Sequence, residues 1–496
     1  MHSDTEWNFD VVSEEDIISA RDCAIEIAEK CGFNSTEVTA IGTAVSELGR
    51  NIYEYAKRGT ITIRVESNGA SLCIIAKDAG PGIKDIESIL SGKYRSRHGL
   101  GAGLIGVKRL MDAFNIESEP GKGTTVTCRK FKKLEFKVEQ ESEFRTEELG
   151  VLPQEDAEIE EAIDYPAVWV NTNSSEDLYK LFRRLGTKHP TLCITFRHPE
   201  RLREKYGLET TPIIYLTNIS TKYKYAFAYD RFEFEVLFNI ISFIKENPHS
   251  YVLFDGADIL SGLQKNFEKV YSMLKGVADI CSMCSSTLLL HFLEQALPHK
   301  HAAYLRNIAY SYWSKFEKKV PKKYEGGIQP GDCYLIDRKF QSMDVLESIV
   351  GKYPLLVVTS KNLSVLKKNM NFDSSGIQFF RISGALNEGS DVFSPFDTTR
   401  IFLALTNFLK SKHGCIYIDA LPEFMSASEF REVLVFIKDL IDEVTEYLGT
   451  LIVDTDHEIF EPWQFALLER VFDQTFKEEK PPGTRSLIEY LSMQSM

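Results

Sequence analysis

Glu47 and Asn51 stand four residues apart in SELGRN, a spacing that puts a carboxylate and an amide on one face of a helix. Three glycine-rich runs follow: Asp78-Ala-Gly80-Pro-Gly82, Gly99-Leu-Gly101-Ala-Gly103 and Gly121-Lys-Gly123-Thr124. A helix-borne carboxylate can take the proton of an attacking hydroxyl, and an amide oxygen is a hard ligand suited to a small divalent cation. Glycines let backbone N–H groups approach phosphate oxygens, above all where a loop runs into a helix N-terminus. Each feature also has a plain reading. A carboxylate on an amphipathic helix is usually just solvated, and an isolated glycine-rich run is more often a turn. Four such features in one order, on elements able to present them, weigh more than any one alone.

The elements themselves are legible from periodicity and capping. Residues 16–30 carry apolar side chains at helical spacing and stop before Gly32. A second helix begins at the capping pattern Asn34-Ser-Thr-Glu37 and continues through VTAIGTAVSELGRNIYEYA to Arg58-Gly59, carrying Glu47 and Asn51. Two alternating runs, TITIRVES and SLCIIAKD, flank Asn68-Gly69, a tight hairpin signal, and the second delivers Asp78. After the glycines at 99, 101 and 103 the sequence predicts a helix over LIGVKRLMDAF, then a strand pair about Gly121 to Val126. Lys108 and Arg109 on that helix read equally as phosphate neighbours or as surface residues.

Along about 125 residues this chain resembles the GHKL ATPases, with the N box as Glu47-Leu-Gly-Arg-Asn51 and the glycine boxes as quoted above. The resemblance implies a two-layer α+β (Bergerat) sandwich that binds ATP with Mg²⁺. It casts Asp78 as acceptor of the adenine amine, a choice that discriminates adenine from guanine. Gly80 and Gly82 would pass close to the base, Asn51 would ligate the metal, and Gly99, Gly101 and Gly103 would form a lid. Thr124 would complete the nucleotide site, and Glu47 would be the catalytic base. No transducer domain follows, and only His2 lies upstream of the N box, which argues against the gyrase-type and autophosphorylating histidine kinase branches. The short module is most similar to RsbT-type and anti-sigma serine/threonine kinases. Those act on STAS-type partner proteins, either by phosphoryl transfer or by binding and holding. The segment Lys93-Tyr-Arg-Ser-Arg-His98 is more basic than that family leads one to expect.

Composition bounds the rest. A chain of 496 residues suggests about three domains, and 43% hydrophobic with 26% charged residues is ordinary for a globular protein. A net charge of −14 without a basic, aromatic-studded stripe argues against nucleic acid as partner. No apolar run reaches the roughly 20 residues that span a bilayer, so no membrane insertion is expected. The acidic start MHSDTEWNFDVVSEED is unlike a signal peptide, and a cytoplasmic protein follows as an expectation. The nine cysteines are scattered. The close pair Cys281 and Cys284 has no second pair at metal spacing and reads as two thiols on one helix.

The C-terminal half repeats itself. Pro190–Thr195 aligns with Pro354–Thr359 and Tyr251–Asp255 with Cys415–Asp419 at an offset of 164, and Thr287-Leu-Leu-Leu-His with Thr450-Leu-Ile-Val-Asp at 163. Short apolar runs alternating with helical patterns such as FEVLFNIISFIKEN and TTRIFLALTNFLKSK predict two α/β domains with mainly parallel sheets. The expected organisation is an ATPase domain over 1–136, an acidic linker over 137–162, and copies over 163–312 and 331–476. A basic linker with Lys318, Lys319, Lys322 and Lys323 spans 313–330, and a tail with a short helix spans 477–496. Each copy resembles the archaeal domain of unknown function numbered 835, whose pattern is like a degraded RecA/KaiC ATPase. Asp255 and Asp419 stand where such ATPases keep a magnesium-ligating carboxylate. The phosphate-cradling motif is missing: Arg197-His-Pro-Glu-Arg and Ser360-Lys-Asn-Leu-Ser follow the relevant strands instead. The copies are therefore expected to dock partners or read a signal.

Taken together, the sequence points to a signalling kinase that moves the ATP γ-phosphoryl group to serine or threonine of a partner, with the repeats choosing partner or input. An ATP-gated binding protein without transfer and histidine-kinase-like transfer in trans are the alternatives. A homodimer is compatible with the resemblance, since similar kinases commonly dimerise.

Overall fold

The computed structural model describes residues 6–66, 69–86, 89, 102–134, 136, 165–219, 221–223, 225–229, 232–315, 331–337, 349–361, 363, 376–383 and 391–476. Gly99, Gly101, the basic segment 93–98, the acidic linker, the lysines of the basic linker and the tail lie outside the described residues. The chain divides into two compact units: 1–137 together with 231–246, and 138–230 together with 247–496.

In the first unit β1 (Glu6–Val11), β2 (Gly59–Glu66), β3 (Ser71–Asp78), β4 (Ala113–Glu119) and β5 (Gly123–Phe131) form an antiparallel sheet in the order β1-β2-β3-β5-β4. One face carries α1 (Glu14–Lys30), α2 (Ser35–Asn51) and α3 (Ala102–Leu110), packed through Ala24, Ile41, Val45, Ile63, Ile74 and Val107. This is the two-layer α+β sandwich expected. The predicted third helix is shorter than LIGVKRLMDAF: it ends at Leu110, and Ala113 already starts β4. The Asp112 carboxylate accepts the Phe131 N–H at 2.8 Å and binds Lys130 at 2.9 Å, which ties the chain to β5 and turns it into a strand. The second helix is α-helical to Asn51 and closes in a π-helical turn, Ile52–Ala56. β1 had no counterpart among the predicted elements, although Trp7, Phe9 and Val11 alternate as a strand should.

Half-covered strands alternate buried and exposed positions, but Ser71, Leu72, Cys73 and Ile74 are all fully buried. The second face is closed at this end by a π-turn, Phe232–Val236, and the helix that continues it to Glu246. Ser71 Oγ donates to Glu235 Oε1 at 2.8 Å, the Leu134 N–H donates to Asn239 Oδ1 at 2.9 Å, and Phe131 packs on Phe234 and Phe238.

The second unit holds two seven-stranded parallel sheets of the same topology. In the first copy the strands are β6 (Ala167–Thr172), β7 (Thr191–Thr195), β8 (Ile213–Leu216), β9 (Ala226–Phe227), β10 (Tyr251–Asp255), β11 (Thr287–His291) and β12 (Ser311–Lys315). Their order is β12-β6-β11-β10-β7-β8-β9. In this unit the copy keeps α4 (Ser175–Gly186), α5 (Pro199–Tyr206), α7 (Ala257–Leu263), α8 (Phe267–Met283) and α9 (His299–Arg306), α6 being Leu237–Glu246 above. The second copy has β13 (Cys333–Asp337), β14 (Leu355–Thr359), β15 (Ile377–Ile382), β16 (Val392–Phe393), β17 (Cys415–Ile418), β18 (Thr450–Thr455) and β19 (Gln474–Phe476). They run β16-β15-β14-β17-β18-β13-β19, with α10 (Thr398–Lys412), α11 (Leu421–Ala427), α12 (Phe430–Glu446) and α13 (Pro462–Val471). Central strands buried on both faces explain the near-continuous apolar runs such as TLCIT and LLVVT.

Candidate active site

The start of α2 is fixed by a reciprocal box: the Glu37 N–H donates to Asn34 Oδ1 at 2.9 Å and the Asn34 N–H to Glu37 Oε2 at 2.8 Å. Small residues then let the helix lie close to its neighbours. A Cβ at Gly49 would meet Ile17 at 2.8 Å and Ile61 at 3.3 Å, and one at Gly42 would meet Ile25 at 2.9 Å. That approach sets the rotation of α2. Ile41, Val45, Leu48 and Ile52 enter the core, while Glu47 and Asn51 remain half-buried at its edge.

The N-terminal turn of α3 passes directly over this pair. A Cβ on Gly103 would lie 2.6 Å from Glu47 Oε2 and 3.8 Å from Asn51 Nδ2, so a third-position glycine keeps the space that Glu47 occupies. Asn51 Nδ2 is buried without a hydrogen-bond partner. Leaving such an atom unsatisfied costs about 1–3 kcal/mol, and folded proteins keep few of them. By a half-turn the same amide presents its carbonyl oxygen instead. An orphaned amide beside a carboxylate, at a helix N-terminus, is a donor set that fits a metal–phosphate group.

Asp78 ends β3, where it pairs with Gly59. Its Oδ1 accepts the Gly80 N–H at 2.8 Å and the Thr124 N–H at 3.3 Å, so the first and third glycine runs are stitched to one carboxylate oxygen. Gly123 has φ +99°, and a Cβ there would sit 2.1 Å from the Asp78 carbonyl oxygen; Gly82 has φ +68°, with the Glu119 carbonyl oxygen 2.1 Å away. Both positions exclude a side chain. Ser118, which gave no signal in the sequence, completes the seam: its Oγ accepts the Ile83 N–H at 2.8 Å and lies 2.9 Å from Thr124 Oγ1. Gly80 packs on Ala56, where a Cβ would approach the alanine methyl to 2.7 Å. Lys108 and Arg109 are exposed at the end of α3, away from Gly103 at its start.

The aspartates of the repeats are held differently. Asp255 accepts the Tyr179 hydroxyl at 2.5 Å, Arg470 Nη2 at 3.0 Å and contacts His291 Nδ1 at 2.6 Å, with Arg197 Nε 3.6 Å away. Burial opposes its charge, yet Arg470, His291 and Arg197 prevail and hold the carboxyl well below the usual carboxylate range. Arg470 Nε also reaches Asp258 at 3.1 Å. Asp419 is paired with Lys361 at 2.7 Å. Asp337 and Asp456 group with His457 within a metal-sized radius, where His457 Nδ1 lies 2.9 Å from Asp337 Oδ2 in an ordinary histidine–carboxylate contact. Cys281 is buried in α8, and burial pushes its thiol up to about 12; Cys284 caps the same helix. Among the described residues no helix is long and apolar enough to cross a membrane.

Residues 12–130 match the family described as histidine kinase-like ATPase domain, and residues 171–308 and 335–472 each match the protein family of unknown function DUF835. The serine/threonine-protein kinase RsbT of Bacillus subtilis (strain 168) is 45% identical over 123 residues, which are 24% of this chain and 92% of that protein. The anti-sigma F factor of Thermoanaerobacter sp. (strain X514) is 37% identical over 101 residues, 19% of this chain and 71% of the relative. That of Clostridium beijerinckii (strain ATCC 51743 / NCIMB 8052) is 36% identical over the same length. With its two DUF835 matches covering more than half of its length, the chain belongs to the DUF835 family, in a form whose N-terminal module is a member of the histidine kinase-like ATPases.

Proposed function

We propose that this protein is a cytoplasmic signalling kinase that transfers the γ-phosphoryl group of ATP to a serine or threonine hydroxyl of a STAS-type partner protein. The observation that carries the reading is the meeting of Glu47, Asn51 and Gly103 at the start of α3, with the Asn51 amide buried and unsatisfied. Asp78 would accept the adenine amine while Gly80, Gly82 and Thr124 shape the base pocket. Gly103, with Gly99 and Gly101, would bring backbone N–H groups to the phosphates. Asn51 is the residue that would hold Mg²⁺, which when bound would draw charge from the phosphate oxygens. Glu47, one helical turn away, would receive the proton as the acceptor hydroxyl attacks the γ-phosphorus and ADP leaves. The 45% identity to a protein named as a serine/threonine kinase supports a hydroxyl acceptor. The two DUF835 copies would select the partner or the input.

ATP gating without transfer is the second reading, supported by the relatives named as anti-sigma F factors, a name that mentions no kinase. The full chain, incubated with Mg²⁺, γ-labelled ATP and a STAS domain carrying serine and threonine, separates the readings. Acid-stable, alkali-labile label on the STAS protein supports the proposal. Label lost in acid would make the acceptor a histidine, and tight ATP binding with no label would leave the gating reading.

A further inference from the structure

Within the second unit the two copies meet through unlike surfaces. The helix α12 of copy 2 seats on the end of β8 in copy 1. Asp442 is the centre of this contact: it accepts the Tyr215 hydroxyl at 2.9 Å and the Thr217 hydroxyl at 2.6 Å, and Lys438 one turn earlier pairs with it. Both Lys438 and Asp442 have only 3% of their side chains exposed. Packing is close, since a Cβ on Gly262 would approach Leu467 to 2.5 Å and Leu434 to 3.0 Å. A helix of one copy on the sheet end of the other is a heterologous contact, and among the described residues it leaves one surface of each kind over: the helix face of copy 1 and the sheet end of copy 2.

The leftover helix carries the same residues. Aligned at an offset of 163, α8 and α12 place Phe267 at Phe430, Lys275 at Lys438 and Asp279 at Asp442. In α12 the lysine and aspartate are buried, whereas Lys275 and Asp279 are exposed, with Met283 on the last turn 79% exposed. A lysine and an aspartate one turn apart are common on solvated helices. What makes this pair specific is the surface left over on copy 2.

Strand pairing fixes that surface. Tyr215 lies opposite Thr195 on β7, and Arg381 lies opposite the equivalent Thr359 on β14. The Thr217 N–H donates to the Phe227 carbonyl, and the Ser383 N–H to the equivalent Phe393 carbonyl. Arg381 and Ser383 therefore occupy the places of Tyr215 and Thr217, the two donors to Asp442. The neutral hydroxyl of tyrosine has become a guanidinium, and its Nε is buried without a hydrogen-bond partner. An orphaned arginine donor at the site that receives an aspartate in the other copy is complementary to the exposed Asp279. The neighbouring charges repeat as well: Lys361 on Asp419 stands in place of Arg197 on Asp255.

We infer that copies of this chain associate head to tail, α8 of one chain seating on the β15 end of the next, with Asp279 against Arg381. The new contact differs from the internal one where Tyr271 and Tyr304 replace Leu434 and Leu467, which puts two aromatic anchors at its centre. Because the contact is heterologous, repeating it closes a ring or extends a filament. The inference rests on the repeats alone and is independent of phosphoryl transfer.

Sedimentation of the full chain over a range of concentrations tests it. The wild type is expected to rise above monomer mass with concentration. Asp279→Arg and Arg381→Asp should each weaken association at least about tenfold, since like charges then face one another. An equimolar mixture of the two variants should reassociate, because each contact in it again sets an acid against a base. Asp279 is exposed, so its variant keeps the native melting temperature; Asp279→Ala provides a second variant with the same expected direction. A wild type that stays monomeric throughout overturns the inference. So does association that survives Asp279→Arg unchanged, or a mixture that fails to reassociate.

Discussion

Asp78 and Asp255 both close an apolar strand, and they are held by unlike partners. Asp78 gives one oxygen to two backbone N–H groups and is surrounded by glycines whose positions exclude side chains. Asp255 is met by a tyrosine hydroxyl, a histidine and two arginines, one of them 215 residues away. The first arrangement ties one carboxylate oxygen to backbone alone, with no side-chain cation against it among the described residues. The second spends the carboxylate on joining two parts of the chain. A strand-end aspartate thus says little alone; the side chains or the glycines that surround it decide whether it can act as a lock.

The largest test of that contrast is Glu47→Ala. Removing a general base costs about 10²–10⁴-fold in rate, so label transfer should fall by that much while ATP binding is retained. Transfer at the wild-type rate would show that Glu47 is not the base. Asp78→Asn comes next: an amide turns an acceptor into a partial donor, and the loss of a charged hydrogen bond should weaken ATP binding by about 10–200-fold. Calorimetric titration that gives wild-type affinity would remove Asp78 from the adenine contact.

Arg470→Ala probes the other side. It strips the buried Asp255 and Asp258 of their common cation, a class of change that destabilises by about 3–5 kcal/mol. The second unit should unfold earlier in urea while ATP binding by residues 12–130 is retained. A loss below about 1 kcal/mol would mean that Arg197 and His291 suffice for Asp255.

The parts that were legible in the sequence were those whose causes are local. The Asn34–Glu37 box and the hairpin at Gly69 each follow from a handful of adjacent residues, and the repeat followed from an offset of 163–164 shared by three runs. The end of α3 was not legible, because Asp112 is claimed by Phe131 and Lys130 from another strand. Nor was the second cover of the ATPase sheet. The stretch FEVLFNIISFIKEN (234–247) read as a helix, but nothing local says that Glu235 meets Ser71 across 164 residues of sequence. The same holds for Asp255: the missing phosphate loop was readable, and the arginine that takes its place was not. Gly103 lies between these cases, since its glycine was visible but its contact with Glu47 needed the fold.

The smallest effect sharpens the lock. Arg470, His291 and Arg197 depress the Asp255 carboxyl well below its usual range despite burial, so the folded form holds a charge that the unfolded chain would give up near an ordinary pKa of about 3.9. A depressed carboxyl contributes stability that is fully present above the unfolded pKa and is lost as pH falls through the folded one. Asp255→Asn has no such charge to lose. The melting temperature of the wild type should therefore exceed that of the variant at neutral pH, and the gap should narrow as the pH falls below about 4. A gap that stays constant through that range would mean that Asp255 holds the copies together through packing and hydrogen bonds alone, and that the arginine contributes no pH-dependent stability.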